Sequence, residues 1–142
     1  MHKKMVILVL LLILIGCNNN SSSLLTEVDQ KDLNNDVVSF LEKTKKANGI
    51  YLYSREGERQ YLILNNSNVN QGEQPSFINS IQSEIQNKTL VIKIEELKPD
   101  TDRFDVKRLG KLKAFIINTE NKFDTIRIFK NNKETKFDLV GG

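Results

Sequence analysis

Ile50-Tyr51-Leu52-Tyr53 and Gln60-Tyr61-Leu62-Ile63-Leu64 are the stretches whose reading decides the fold. Both are rich in β-branched, aromatic and aliphatic residues, and from Ile50 a period of two replaces the helical spacing that precedes it. Between them lies Arg55-Glu56-Gly57-Glu58, where Gly57 supplies positive φ, so the two runs are expected to fold back on each other as a β-hairpin.

Upstream, Leu33, Val37, Phe40, Leu41 and Thr44 fall at spacings of three and four within Leu24 to Asn48, with charged residues opposite them. This predicts one helix within 27–47, capped by Asn34 or Asn35 and stopped by Gly49. Downstream, Asn65 to Pro75 reads as a loop. Phe77 to Gln86 fits a strand or a short helix; the strand is preferred because Thr89 to Ile94 follows at hairpin distance across Asn87-Lys88. Lys98 to Arg103 reads as a loop, with Pro99 ending the strand before it. Leu112 to Asn118 and Phe123 to Phe129 read as further strands, and Asn131-Asn132 as a tight turn leading into Thr135 to Val140. The expected fold is therefore mainly β, with α+β as the alternative class. One N-terminal helix precedes an antiparallel β-sandwich or partly open barrel of about seven short strands, in a single domain spanning 26–142.

The other end of the chain reads differently. Met1-His2-Lys3-Lys4 is positively charged, and Met5 to Ile15 is an unbroken apolar run. As a helix that run would reach about 16 Å, roughly half the ~30 Å hydrocarbon thickness of a bilayer, so it has the layout of a secretory leader rather than a span. Leu14-Ile15-Gly16-Cys17 follows, and it resembles the lipobox of bacterial lipoproteins. The resemblance implies a diacylglyceryl thioether on Cys17, cleavage between Gly16 and Cys17, and a mature chain held on the extracytoplasmic face of the cell membrane. On that reading residues 1–16 are the signal peptide and 17–25 a lipidated, flexible tether built around Asn18 to Ser23. The plainer alternatives are an uncleaved N-terminal helix or an ordinary signal peptide.

Composition narrows the chemistry. The 21 basic residues include Lys3 and Lys4 and stand against 18 acidic ones, so beyond the leader the chain is close to neutral and suggests no nucleic-acid partner. The one His is His2 and the one Cys is Cys17, and there is no Trp. A lipidated mature chain therefore has neither imidazole nor free thiol. That excludes a Ser-His-Asp triad, a Cys-His pair or a His/Cys zinc site, and leaves acid–base work to carboxylates, Lys or Tyr. No cofactor is expected.

Few residues suggest a site. Asp100, Asp102 and Asp105 could offer oxygen ligands to Ca²⁺, although they lack the Gly and distal Glu of an EF-hand loop and read more simply as a solvated acidic turn. Lys107, Arg108, Lys111 and Lys113 could meet anionic headgroups or wall polymers, or could simply protect an edge strand. Tyr51, Tyr53 and Tyr61 could line a binding face or lie half-buried in the sheet. Glu95 and Glu96 are neighbours, so on a strand they point to opposite faces and cannot flank one substrate. Gly72-Glu73-Gln74-Pro75-Ser76 resembles the Gly-x-x-Pro-Thr turn in the C-terminal domain of protease-complex-subunit lipoproteins, but Phe77-Ile78-Asn79 stands where that family continues with Gly-Gly-Tyr. That resemblance implies a non-enzymatic module with a protein partner. The expected function is a lipid-anchored, non-catalytic module that binds a protein or the envelope. The rivals are a carboxylate- or Tyr-dependent hydrolase of wall or carbohydrate substrates, and a structural component of the envelope.

Overall fold

A computed structural model describes residues 23–98, 111–120 and 122–142. In chain order it shows β1 (Leu25–Val28), a 3-10 turn (Gln30–Asp32), α1 (Asn35–Thr44), β2 (Gly49–Tyr53), β3 (Gln60–Asn65), β4 (Phe77–Gln86), β5 (Thr89–Leu97), β6 (Leu112–Ile117), β7 (Thr125–Lys130), β8 (Lys133–Thr135) and β9 (Leu139–Gly141). The fold is mainly β with one α-helix, as the patterning predicts. The strands form a five-stranded sheet ordered β1-β6-β3-β2-β9 and a four-stranded sheet ordered β4-β5-β7-β8.

Neither sheet is closed into a barrel, and neither is wholly antiparallel. β2 pairs with β9 in parallel, and β5 pairs with β7 in parallel. The expectation of an all-antiparallel sandwich fails there because both pairs join strands distant in sequence, whose direction no local turn dictates.

The hairpin read from Ile50 to Leu64 is the centre of the molecule. Along β2 and β3, Ile50, Leu52, Leu62 and Leu64 face the second sheet and pack with Leu90, Ile92, Ile94 and Ile128. The alternate residues Tyr51, Tyr53, Tyr61 and Ile63 face the other way and pack under Val37, Phe40 and Leu41 of α1. The period of two thus separates two apolar faces, both covered, and the structure has three layers: helix, five-stranded sheet, four-stranded sheet. Ala114 on β6 keeps the sheet surface low where α1 crosses it.

Local chemistry sets the element ends. Asn34 Oδ1 accepts from the Val37 N–H at 2.9 Å and caps α1. The helix ends at Thr44, inside the expected 27–47, and Gly49 is not its stop. Asn65 on β3 supplies the C-terminal cap: its Nδ2 donates to the carbonyls of Lys45 at 3.2 Å and Ala47 at 2.8 Å, and Asn68 Nδ2 adds a bond to Lys45 O at 2.9 Å. Gly49 opens β2 instead, where a Cβ would lie 2.7 Å from Asp138 Oδ2 and 2.8 Å from the Tyr51 hydroxyl.

Residues 25–32 do not extend the helix. Leu25 pairs with Ile117 and Val28 with Ala114, so β1 is part of the domain, and the tether expected over 17–25 overlaps its first residue. The Phe77–Gln86 ambiguity resolves as a strand. Asn87 and Lys88 both take positive φ, at 48° and 62°, which is the backbone of a two-residue primed turn. Asn131 and Asn132 repeat it at 48° and 63° between β7 and β8.

Candidate functional site

One concavity lies where α1, the end of β2 and β9 meet. It is an open cleft of about 290 Å³ lined by Asp36, Ser39, Phe40, Lys43, Tyr53, Arg55, Leu139 and Gly141. Its residues come together because β9 docks beside β2. Asp138 N–H donates to Ile50 O at 2.8 Å, Asp138 Oδ2 accepts from Ile50 N–H at 2.7 Å, and Ser54 N–H donates to Gly141 O at 2.8 Å. These bonds latch the strand at both ends.

The cleft has an apolar floor and a charged wall. Phe40 and Tyr53 meet edge to face with ring centroids 5.6 Å apart, and Tyr53 repeats the geometry with Tyr61 at 6.1 Å. Arg55 forms the wall, 3.2 Å from Asp36 Oδ2 and 3.3 Å from Glu58 Oε1. The Tyr53 hydroxyl donates to Glu58 Oε2 at 2.8 Å, and this bond, more than burial, raises the phenol above its usual value. Tyr53 therefore stays protonated, and both carboxylates beside it are engaged by Arg55. The arrangement suits recognition of a bound group better than proton transfer. Beside the cleft, Leu139 and Val140 remain 46% and 55% exposed on a strand whose outer edge pairs with no other strand among the described residues.

The residues singled out from sequence fall in several places. Tyr51, Tyr53 and Tyr61 share one face of the sheet, but it lies beneath α1 and all three rings are buried, so they do not form an open binding face. The Tyr51 hydroxyl donates to Ala47 O at 2.7 Å, and burial together with Asp138 raises its pKa.

Lys113 lies 3.1 Å from Glu27 on β1, and the Lys111 ammonium sits 5.3 Å from the Phe77 ring centroid. β6 pairs with β3 from Leu112 to Ile117 but with β1 only from Ala114 on, so Lys113 lies beyond the β1 ladder and Lys111 before the strand begins. Glu95 and Glu96 do point apart: Glu95 accepts from Ser80 at 3.0 Å, whereas Glu96 pairs with Lys130 at 3.0 Å and accepts from Ser76.

Gly72, with φ of 86°, and Pro75 lie in the loop between β3 and the β4–β5 hairpin. Gly16, Cys17, Asp100, Asp102, Asp105, Lys107 and Arg108 lie outside the described residues. Among the described residues no group of three or more His, Cys, Asp or Glu is placed to hold a metal, and no helix is long and apolar enough to cross a membrane.

Sequence reading missed Arg55, Lys43 and Leu139 as neighbours. Lys43 lies on α1, Arg55 just past β2 and Leu139 on β9; α1 packs on β2 and β9 pairs with it in parallel, and no local pattern announces either contact. No protein-family model matches the chain, and neither a curated protein nor a solved structure matches it.

Proposed function

We propose that the chain is a lipid-anchored module on the extracytoplasmic face of the membrane, which binds a protein partner without catalysing a reaction. The anchor rests on Leu14-Ile15-Gly16-Cys17 behind a basic start and an apolar run too short to span. The binding role rests on one observation: exposed Leu139 and Val140 form an apolar edge beside a cleft floored by Phe40 and walled by Arg55. Such a cleft accepts an apolar side chain, and Lys43 in its lining favours an acidic residue next to it. Short extended segments bind in this way, with an edge strand giving main-chain bonds and an adjoining pocket giving selectivity. The hydrolase alternative would need a free acid or base in the cleft, and Asp36, Glu58 and Tyr53 are all engaged around Arg55.

Two measurements test the reading. Metabolic labelling with a radiolabelled fatty acid should mark the full chain and be lost in Cys17→Ser; labelling that persists overturns the anchor. Affinity capture of the full chain from envelope extract should recover a partner protein, and Arg55→Glu or Leu139→Asp should remove it. A partner retained by both variants places binding elsewhere.

A further inference from the structure

Free sheet edges invite pairing, and proteins blunt them with short strands, lysines or prolines. Three of the four edges here are short: β1 has 4 residues, and β8 and β9 have 3 each. β4 is the exception. It runs for 10 residues, Phe-Ile-Asn-Ser-Ile-Gln-Ser-Glu-Ile-Gln, without a Lys or Pro, and its outer edge pairs with no other strand among the described residues. Its one irregularity, between Ile78 and Ser80, lies near one end and leaves Ser80 to Gln86 regular.

The primed turn fixes which groups that edge presents. Gln86 and Thr89 close the two-residue turn, and the pair closing such a turn exchanges its hydrogen bonds within the hairpin. Bonding direction alternates along a strand, so Gln82, Glu84 and Gln86 bond inward to β5, while Ile81, Ser83 and Ile85 present N–H and C=O outward. The side chains of those three residues lie on the same face as their partners Ile94, Ile92 and Leu90, which belong to the core between the sheets. Ile81 packs partly against that core, whereas Ile85 is left 37% exposed.

From this edge we propose that β4 is a self-association site, pairing antiparallel with β4 of a second copy about a two-fold axis through Ser83. The sequence Ile81-Gln82-Ser83-Glu84-Ile85 is nearly palindromic. About that axis Ser83 meets Ser83, Ile81 meets Ile85, and Gln82 meets Glu84. Each outward-facing residue then exchanges two main-chain bonds, each Ile85 gains an apolar neighbour, and each Glu84 carboxylate faces an amide rather than its own copy. Moving the axis to Glu84 would set like charges opposite each other. Glu84 is also held by Lys93 at 2.9 Å on the same face, a bond that lowers its pKa and keeps the carboxylate turned over β5. The pairing is isologous, so each copy uses its one long edge, and assembly stops at two copies rather than running on into a fibre. This inference is independent of the proposed partner cleft, which adjoins β9 in the other sheet.

Two readouts on the full chain test it together. In sedimentation velocity the unaltered chain should carry twice the mass of one copy. Ser83→Pro removes an outward N–H and leaves the β4–β5 ladder intact, so it should sediment as one copy and still unfold cooperatively, at a melting temperature that no longer rises with protein concentration. If Ser83→Pro does not fold, Ser83→Lys decides, because it retains the N–H and sets two cations on the axis. In membranes, Ser83→Cys should give a disulfide-linked dimer under mild oxidation, since hydrogen-bonded antiparallel pairs place Cα atoms about 5.5 Å apart, inside the ~4.4–6.8 Å span of a disulfide. The unaltered chain and Lys133→Cys, on the exposed opposite edge of the same sheet, should not. A single-copy mass for the unaltered chain, a dimer that survives Ser83→Lys, or equal cross-linking from Lys133→Cys overturns the proposal.

Discussion

Asn65 shows how much one buried polar side chain can hold. It is 1% exposed, its amide caps the end of α1, and its carbonyl accepts from Ser67 N–H at 2.9 Å. Asn65→Ala leaves the Ser67 N–H without this partner and takes one of two donors from each of the Lys45 and Ala47 carbonyls, and should cost about 1–3 kcal/mol in urea denaturation. Asn65→Asp should cost more at neutral pH, because a carboxylate then faces helix-end carbonyls, and part of that loss should return as acid protonates it. Tyr51 gives a test at the other end of the pH scale. Its folded pKa lies above the usual 10.0, so the native chain keeps a proton that the unfolded chain releases. Its contribution is whole below that value and is lost as pH rises past it. Melting temperatures measured from about pH 8 to 11 should therefore fall more steeply for the unaltered chain than for Tyr51→Phe. Residues whose partners lie close in sequence were legible beforehand: Asn34 as a cap, Gly57 and Asn131-Asn132 as turns. The sequence around Asn65 reads only as the start of a loop, because the carbonyls it satisfies lie 18 and 20 residues away. Cys17, the most specific reading in the chain, is tested by chemistry rather than by the fold.

Elements were legible where a turn or a cap fixed them. The β4–β5 hairpin follows from Asn87-Lys88, and α1 from its apolar spacing behind Asn34. β1 was not legible, because Leu24, Leu25 and Val28 continue a helical spacing and become a strand only by pairing with β6, almost 90 residues later. The pattern from Thr135 to Val140 reads as one strand; Asp138 separates β8 from β9 by bonding to Ile50 and turning β9 onto β2. The β2·β9 junction is therefore where a small change should be felt. Gly49→Ala brings a methyl group against Asp138 Oδ2 and the Tyr51 hydroxyl and should destabilise by about 1–3 kcal/mol through overpacking. Combining it with Tyr51→Phe should recover part of that loss; a double-mutant cycle with no coupling would show that the two groups do not meet. Asn34→Ala should cost about 1 kcal/mol and leave β2·β9 untouched.

At the scale of the molecule, the five-stranded sheet belongs to two cores at once. Leu62 and Ile63 are adjacent, both 0% exposed, and point into different layers. Leu62→Ala empties space between the sheets and Ile63→Ala empties space under α1. Each should cost about 2–5 kcal/mol, and each should shift one shared unfolding transition rather than split it. Two transitions in calorimetry would show that the helix layer melts by itself. The fold class was legible because period two marks a sheet whichever face is covered. The three-layer arrangement was not, because alternation of tyrosine with leucine does not say that the tyrosine side is roofed by a helix. The Asp138 latch also has a consequence in time. Ile50 waits for a residue 88 positions further along the chain, so the outer edge of β2 stays unpaired while the intervening sequence is being made. Closing so long a loop is slow compared with forming the local hairpins. Until β9 arrives, that edge of β2 is open to pairing with other chains.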